Sequence, residues 1–251
     1  MSEAPLAGGG SDRARSFDDV AAEYERMRPG YPPAAVDWLA RRLDLRPGRR
    51  VLDLGAGTGK LTRQLVATGA DVVAVEPGPP MLAQLRASLP RVEALVGAAE
   101  AIPLPDASVD AATAGQAYHW FDPERAVPEL HRVLRPGGAL GLIWNWWDVR
   151  DPLQRRIVEL TSGVAALADE ADEREPDSRF FTELDHEHFE WKEETTAEAL
   201  LARLQTTSFV LTSSPEQRDA ILSEARELSE ARGPRFGLSQ VTDAYVCFRR
   251  G

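Results

Sequence analysis

The sequence of 251 residues has a single cysteine, Cys247, and no long apolar run. One cysteine excludes an internal disulfide and a cluster of thiolate metal ligands. No segment approaches the roughly 18 consecutive apolar residues of a membrane-spanning helix, and residues 1–16 lack the apolar stretch of a secretion signal. We therefore expect a cytoplasmic protein with no membrane partner, in which Cys247 is a small residue of the core.

Positive charge is also scarce, because 29 Lys and Arg stand against 40 Asp and Glu, a formal net charge of −11. Nucleic-acid binding needs clustered cations that neutralise phosphates. No basic stripe is visible, so no nucleic-acid partner is expected, although a local pocket can still favour a small anion. His186 and His188 alternate along a predicted strand, but no further metal ligands stand out, and no metal is expected.

Apolar strands alternate with helices along most of the chain. The predicted strands are Arg50–Leu54, Val72–Val75, Val92–Gly97, Val109–Gly115, Ala139–Trp144, Glu187–Glu194 and Val241–Arg249. The predicted helices are Val36–Leu45, Lys60–Thr68, Pro79–Ser88, Pro123–Leu134, Pro152–Ala168, Ala197–Leu204 and Glu216–Arg232. Because the first five strands are almost wholly apolar, the pattern predicts an α/β fold with a parallel sheet covered on both faces.

A glycine-rich loop, Asp53–Gly59, separates the first predicted strand from the next helix, where a ligand can meet backbone N–H groups. A dinucleotide fingerprint would need glycine at position 60, which is Lys60. A P-loop would need glycine at position 54 and Ser or Thr at position 61, and both are leucine. What remains is G-x-G-x-G with an acidic residue two positions before it, and an ordinary tight turn is the alternative explanation.

This loop resembles motif I of the class I S-adenosylmethionine (SAM)-dependent methyltransferases, with Glu76 nineteen residues after Gly57. SAM has no phosphate, which fits the absence of P-loop residues, and glycine lets the backbone approach a ligand. The resemblance implies a Rossmann-like, doubly wound sheet of seven strands, mostly parallel with one antiparallel strand. It also implies SAM as the cofactor, S-adenosylhomocysteine (SAH) as its product, and ribose hydroxyls that donate to Glu76.

Further segments carry a more specific resemblance. Gly97–Asp106 resembles the loop after the third strand of this family, with Ala98 in place of the usual Asp. Phe17–Tyr24, Arg28–Pro32 and Gln116–Asp122 resemble segments of the trans-aconitate-methyltransferase-like (type 11) enzymes. The cofactor-binding residues that the resemblance implies are Asp53, Gly55, Ala56, Gly57, Thr58, Gly59, Glu76, Pro77, Met81, Ala99, Glu100 and Gln116.

Residues near the ends of the fourth and fifth strands, together with the N-terminal segment, are candidates for the acceptor side. The implied substrate-binding residues are Tyr24, Arg28, Tyr31, His119, Trp120, Trp144 and Trp146. His119 is the candidate general base, since an imidazole titrates near neutrality. Its alternatives are a wall of the pocket and a buried structural role, and a carboxylate acceptor would need no base.

The sequence predicts a disordered leader at 1–16 and a single methyltransferase domain at 17–251. Residues 17–45 would form lid helices and residues 197–232 a helical cap, in a monomer or homodimer. The implied function is methyl transfer from SAM to a small-molecule acceptor, a carboxylic acid or a secondary metabolite. The alternatives are a SAM-binding scaffold or sensor without transfer activity, and a nicotinamide-dependent oxidoreductase, against which Lys60 counts.

Overall fold

Seven strands form one sheet in the computed structural model, which describes residues 28–162 and 176–251. The predicted leader and the segment Phe17–Tyr24 lie outside the described residues. The strands are β1 (Arg50–Leu54), β2 (Asp71–Glu76), β3 (Glu93–Val96), β4 (Val109–Gly115), β5 (Leu134–Trp147), β6 (Asp185–Thr195) and β7 (Phe236–Phe248). The α-helices are α1 (Pro33–Arg42), α2 (Lys60–Val66), α3 (Pro79–Ser88), α4 (Pro123–Val133), α5 (Pro152–Ser162), α6 (Ala197–Gln205), α7 (Ser208–Thr212) and α8 (Pro215–Glu230).

The strand order is β3-β2-β1-β4-β5-β7-β6. Strands β1 to β5 run parallel, and β7 is antiparallel to both of its neighbours, β5 and β6. The predicted Rossmann-like sheet of seven strands with one antiparallel strand is therefore confirmed. The order reverses beside β1, which lies between β2 and β4, and ligands of such sheets bind at the carboxyl ends of the strands at that point.

Alternate side chains of β1 enter two different cores. Val51 packs with Leu39 of α1 and Leu65 of α2 on one face of the sheet. Leu52 packs with Leu130 of α4 on the other face. Because both faces are covered, the strand has no solvent-facing side and is apolar at nearly every position.

Element boundaries differ from the prediction where a tertiary contact extends or shortens an element. Helix α1 begins at Pro33, three residues early, because proline is well accommodated in the first turn of a helix. Strand β7 begins at Phe236 instead of Val241, and its first half pairs along β6. The short helix α7 is absent from the prediction, and the predicted helix Pro152–Ala168 is described only as far as Ser162.

The two segments predicted to cover the site differ in their packing. Helix α1 packs in the core, with Leu39 wholly buried against the sheet, so this part of the predicted lid is a core helix. Helices α5, α6 and α8 share a separate apolar cluster with the start of β7. The members of that cluster are Leu153, Ile157, Leu200, Leu201, Leu204, Ala225, Phe236 and Leu238. The predicted cap is thus attached to the sheet by its own small core.

Cys247 of β7 is fully buried, and burial raises the pKa of its thiol to about 12. It is the core residue that the sequence predicts. None of the helices within residues 28–162 and 176–251 combines the length and the apolar character that crossing a bilayer requires. In the same ranges no three His, Cys, Asp or Glu side chains are grouped as a metal site would need.

Gly141 of β5 allows α1 to approach the sheet closely, because a Cβ there would lie 2.8 Å from Leu43 Cδ1. We expect Gly141→Val to lower the free energy of unfolding by about 1–3 kcal/mol, as overpacking does, measured by urea titration. The matched control is Gly237→Val in β7, where the nearest atom is the flexible end of Glu194 at 3.3 Å. Equal losses in the two variants would contradict the packing explanation.

Candidate active site

The loop between β1 and α2 places backbone groups at the reversal point of the sheet. Gly55 and Gly57 have φ values of +68° and +56°, a region that other side chains rarely adopt. A Cβ on Gly55 would also lie 2.7 Å from Ala117 Cβ, so this position excludes a side chain by space as well. Among the described residues, no atom beyond its chain neighbours lies within 4 Å of the corresponding point on Gly57, so the space that a side chain would fill is open to a ligand.

The Glu76 carboxylate connects this loop to the next crossover. Its Oε2 accepts the Gly57 N–H at 2.8 Å, and its Oε1 accepts the Gly78 N–H at 2.8 Å. The residue is 8% exposed, at the carboxyl end of β2. The two oxygens of an ionised carboxylate together offer about four acceptor sites. Glu76 is therefore fixed in orientation before any ligand arrives.

Asp53, the last acidic residue before the loop, is 1% exposed. Thr62 Oγ1 donates to its Oδ2 at 2.6 Å, and Thr113 Oγ1 donates to its Oδ1 at 3.2 Å. Burial raises the pKa of the Asp53 carboxyl to about 6, although the two threonine hydroxyls favour its ionised form, and the charge of Glu76 adds to the rise. The position lies between α2 and β4, beneath the glycine loop.

Residues 28–31 are held over the loop by side chains from distant parts of the chain. Gln64 exchanges two hydrogen bonds with the Tyr31 backbone, donating to its carbonyl at 2.8 Å and accepting its N–H at 3.2 Å. Arg28 donates to the Thr206 hydroxyl and to its carbonyl, both at 3.3 Å. These contacts join the N-terminal segment to α2 and to the end of α6.

The ends of β4 and β5 meet through two amide side chains. Gln116 has a φ of +54°, rare for a residue other than glycine, and its Nε2 donates to the Asn145 carbonyl at 3.0 Å. Asn145 Nδ2 donates to the Gly30 carbonyl at 3.1 Å, and its Oδ1 accepts the Thr242 hydroxyl at 2.6 Å. Strained backbone of this kind occurs often at ligand sites.

These elements enclose a cavity of about 100 Å³. The predicted site residues that line it are Arg28, Tyr31, Asp53, Gly55, Ala56, Gly57, Thr58 and Gln116. The lining residues that sequence reasoning missed are Pro29, Lys60, Leu61, Gly115, Asn145 and Arg203. One sequence feature could have identified Arg203. It follows Leu200 at helical spacing, so a charged residue falls within an apolar stripe of the helix.

Other predicted cofactor residues lie behind or beside the cavity. Glu76 and Gly59 lie behind the loop, where Gly59 is the N-cap of α2. Met81 is buried on α3, and Pro77 is exposed. Ala99 is buried, and Glu100 accepts the Asp122 N–H at 2.9 Å. Their roles toward a cofactor stay predictions.

The tryptophans of β5 do not line the cavity. Trp144 is 1% exposed and packs in the core with Leu52 and Leu130, and Trp146 packs against the same cluster. Side chains alternate along a strand, so Asn145 faces the cavity while its two neighbours face the opposite side of the sheet. Trp144 and Trp146 thus lie outside the lining of this cavity, and their role toward a substrate stays a prediction.

His119 and Trp120 also lie outside the cavity lining, in the short 3₁₀ turn Tyr118–Trp120 after β4. His119 Nδ1 is 3.2 Å from Trp144 Nε1. Indole nitrogen is only a donor, so Nδ1 accepts, and the neutral imidazole carries its proton on Nε2. In this arrangement Nδ1 is engaged by the indole, and the role of His119 as a general base stays a prediction.

Comparisons with known proteins agree with this architecture. A family model described as a methyltransferase domain matches residues 52–142. Uncharacterized methyltransferase Rv3342 of Mycobacterium tuberculosis strain H37Rv is 46% identical over 217 residues, which are 86% of this chain and 86% of that protein. The structure of a candidate type II methyltransferase from Anaeromyxobacter dehalogenans has a TM-score of 0.65 and 31% identity, covering 89% of this chain and 97% of the other.

A more distant structure shows the same fold. Phosphoethanolamine N-methyltransferase 2 of Haemonchus contortus, solved with SAM, has a TM-score of 0.57 and 17% identity, covering 95% of this chain and 60% of that one. The strand order and the glycine loop at its reversal point define a class I, Rossmann-like methyltransferase. The chain belongs to the methyltransferase family and is a SAM-dependent methyltransferase.

The raised pKa of Asp53 makes stability depend on pH. Its folded value of about 6 exceeds the ordinary 3.8, so the folded state holds the proton more tightly, and stability is lost as pH rises through this interval. A protein with asparagine at position 53 has no ionisable group there, so it does not lose stability in this way as pH rises. We expect Asp53→Asn to gain on the order of 3 kcal/mol relative to wild type between pH 3.5 and pH 7.5.

The measurement is urea unfolding of both proteins at several pH values, with Asp71→Asn on the exposed start of β2 as the control. That control is expected to show no comparable trend. A difference between wild type and Asp53→Asn that stays constant with pH would contradict the assignment of the buried charge.

Proposed function

We propose that SAM binds with its ribose on Glu76 and its amino-acid end on the glycine loop, and that the acceptor is a small molecule. The observation that carries this proposal is the Glu76 carboxylate, oriented by the N–H groups of Gly57 and Gly78 at the reversal point of the sheet. A carboxylate with about four acceptor sites on two oxygens suits two neighbouring hydroxyl donors. A ribose presents such a pair.

The residues around the loop fit the other end of the cofactor. Arg28 and Lys60 line the cavity as cations and suit a carboxylate, while Asp53 suits an ammonium group. SAM supplies a methyl group that its positive sulfur already activates. The contribution of the chain is alignment, which in favourable cases is worth about 7–11 kcal/mol of the barrier. The groups that provide this alignment are held in place by Tyr31, by Gln116 and by the segment 28–31 with its hydrogen bonds to Gln64 and Thr206.

For the acceptor, we propose a carboxylic acid or a secondary metabolite and a place in the trans-aconitate-methyltransferase-like group. The cations of the cavity support an acidic acceptor. The test is incubation with methyl-labelled SAM and a panel of mono-, di- and tricarboxylic acids, phenols and amines, with release of SAH measured. Labelled product from the wild-type protein supports the proposal, and no product from any acid removes the carboxylic-acid class.

Glu76→Gln replaces one carboxylate oxygen with an amide group that can only donate. That group then faces the N–H donor of Gly57 or of Gly78, and one hydrogen-bond acceptor is lost. We expect SAH affinity to fall about 10- to 100-fold, the range for hydrogen bonds to a charged group, measured by calorimetry. The control is Glu93→Gln on β3, whose carboxylate pairs with Arg50 near the surface. Unchanged SAH affinity in Glu76→Gln, with the folded state intact by circular dichroism, would refute the cofactor proposal.

We propose that His119 serves as a wall near the site and does not act as the base. Loss of a general base lowers rates by about 10²–10⁴-fold. We therefore expect His119→Gln to retain a rate within an order of magnitude of wild type, measured with whichever acid of the panel is methylated. A hundredfold loss at unchanged SAH affinity would restore the base assignment.

A further inference from the structure

Arg203 is an arginine in the interior of the cap. Its side chain is only 9% exposed, and its guanidinium carbon lies 4.2 Å from the ring centroid of Trp147. Nη1 donates to Glu193 at 3.1 Å, and Nη2 donates to Gln240 at 3.4 Å. An arginine is almost never buried unless it is paired, because removal of its charge from water is costly. Because Arg203 lies in an otherwise apolar stripe of the helix, its burial points to a functional role.

Arg203 lines two cavities. The first is the cavity in front of the glycine loop, and the second, of about 280 Å³, is lined by Glu193, Leu200 and Arg235 among others. Of this ion pair, Glu193 lines only the second cavity, whereas Arg203 also lines the cavity in front of the glycine loop.

The described residues that line the first cavity include more cations than anions. Its ionisable lining residues are Arg28, Lys60 and Arg203 on the positive side and Asp53 on the negative side. SAM carries one carboxylate against an ammonium group and a positive sulfur. Arg28 and Lys60 come from the segments next to the loop, where we propose that the amino-acid end of SAM lies. Arg203 comes from α6, in the segment predicted to cap the acceptor.

We propose that Arg203 is a specificity-determining residue that binds a carboxylate of the methyl acceptor; this rests on the proposed function of the site. Stacking on Trp147 fixes the plane of the guanidinium, and a fixed planar fork suits bidentate binding of a carboxylate. Thr206, three residues after Arg203, accepts two hydrogen bonds from Arg28. These bonds join the cap to the cofactor side of the cavity.

A carboxylate at Arg203 could also come from the cofactor, and two ligands separate these sources. SAH carries the methionine carboxylate, whereas methylthioadenosine lacks it. If Arg203 serves the acceptor, Arg203→Gln leaves the affinity for both ligands unchanged. Selective loss of SAH binding, with methylthioadenosine binding retained, would assign Arg203 to the cofactor and overturn the proposal.

The direct test is calorimetric titration of the SAH complex with benzoate, succinate and citrate, each compared with its methyl ester. We expect at least one acid to bind and its ester to bind much more weakly. Arg203→Gln should weaken that acid about tenfold or more, as for hydrogen bonds to a charged group. The matched control is Arg235→Gln, an exposed arginine that lines only the second cavity, with no effect expected.

A second variant keeps the test decisive if Arg203→Gln does not fold. Glu193→Gln removes the competing carboxylate and should tighten acid binding by about threefold, the scale of a partly exposed ion pair. Unchanged or weaker binding would overturn the proposal, as would failure of all three acids in a complex that holds SAH. Failure of the wild-type protein to bind SAH at all would instead refute the proposed function.

Discussion

One buried carboxylate joins the two crossovers on which the site depends. Glu76 accepts an N–H from the glycine loop after β1 and another from the turn after β2. These two turns are adjacent because β1 and β2 are parallel neighbours whose carboxyl ends reach the same edge of the sheet. Burial of the charge costs free energy, which the two charge-assisted hydrogen bonds offset. The loop is thereby preorganised for a ligand, and little reordering remains for binding.

The cavity in front of this loop is assembled from segments that are far apart in the chain. The glycine loop supplies its floor, residues 28–31 pass over it, and Gln116 and Asn145 close it beside β5. Hydrogen bonds to Gln64, Asn145 and Thr206 hold the N-terminal segment in place. Loops held by a rigid scaffold in this way are common carriers of function.

The sheet also separates two kinds of environment. On the face of α4, Trp144 packs edge-on against Tyr245, and its indole N–H donates to His119 Nδ1. On the face of α1, polar side chains of β5 and β7 continue from the cavity toward the cap, with Asn145, Thr242 and Gln240 along one line of the pleat. The cavity side of the sheet is therefore polar, and Arg28, Lys60 and Arg203 are among the residues that line the cavity.

The sequence alone determined the features that arise within short stretches of chain. Residues 50–76 contain a strand, the glycine loop, a helix and the second strand ending at Glu76, and their spacing predicts both the sheet type and the cofactor side. Local geometry suffices there, because a parallel β–α–β unit brings its own ends together. Helix and strand positions followed from the same apolar periodicity.

Only the tertiary structure decided which residues from the rest of the chain line the cavity. Trp144 and Asn145 are neighbours in sequence, yet the phase of the pleat sends one into the core and the other to the cavity. Arg203 is 143 residues from Lys60 and reaches the same cavity only because α6 packs against β7. Such long-range placement depends on how elements dock, and periodicity within one element carries no information about it.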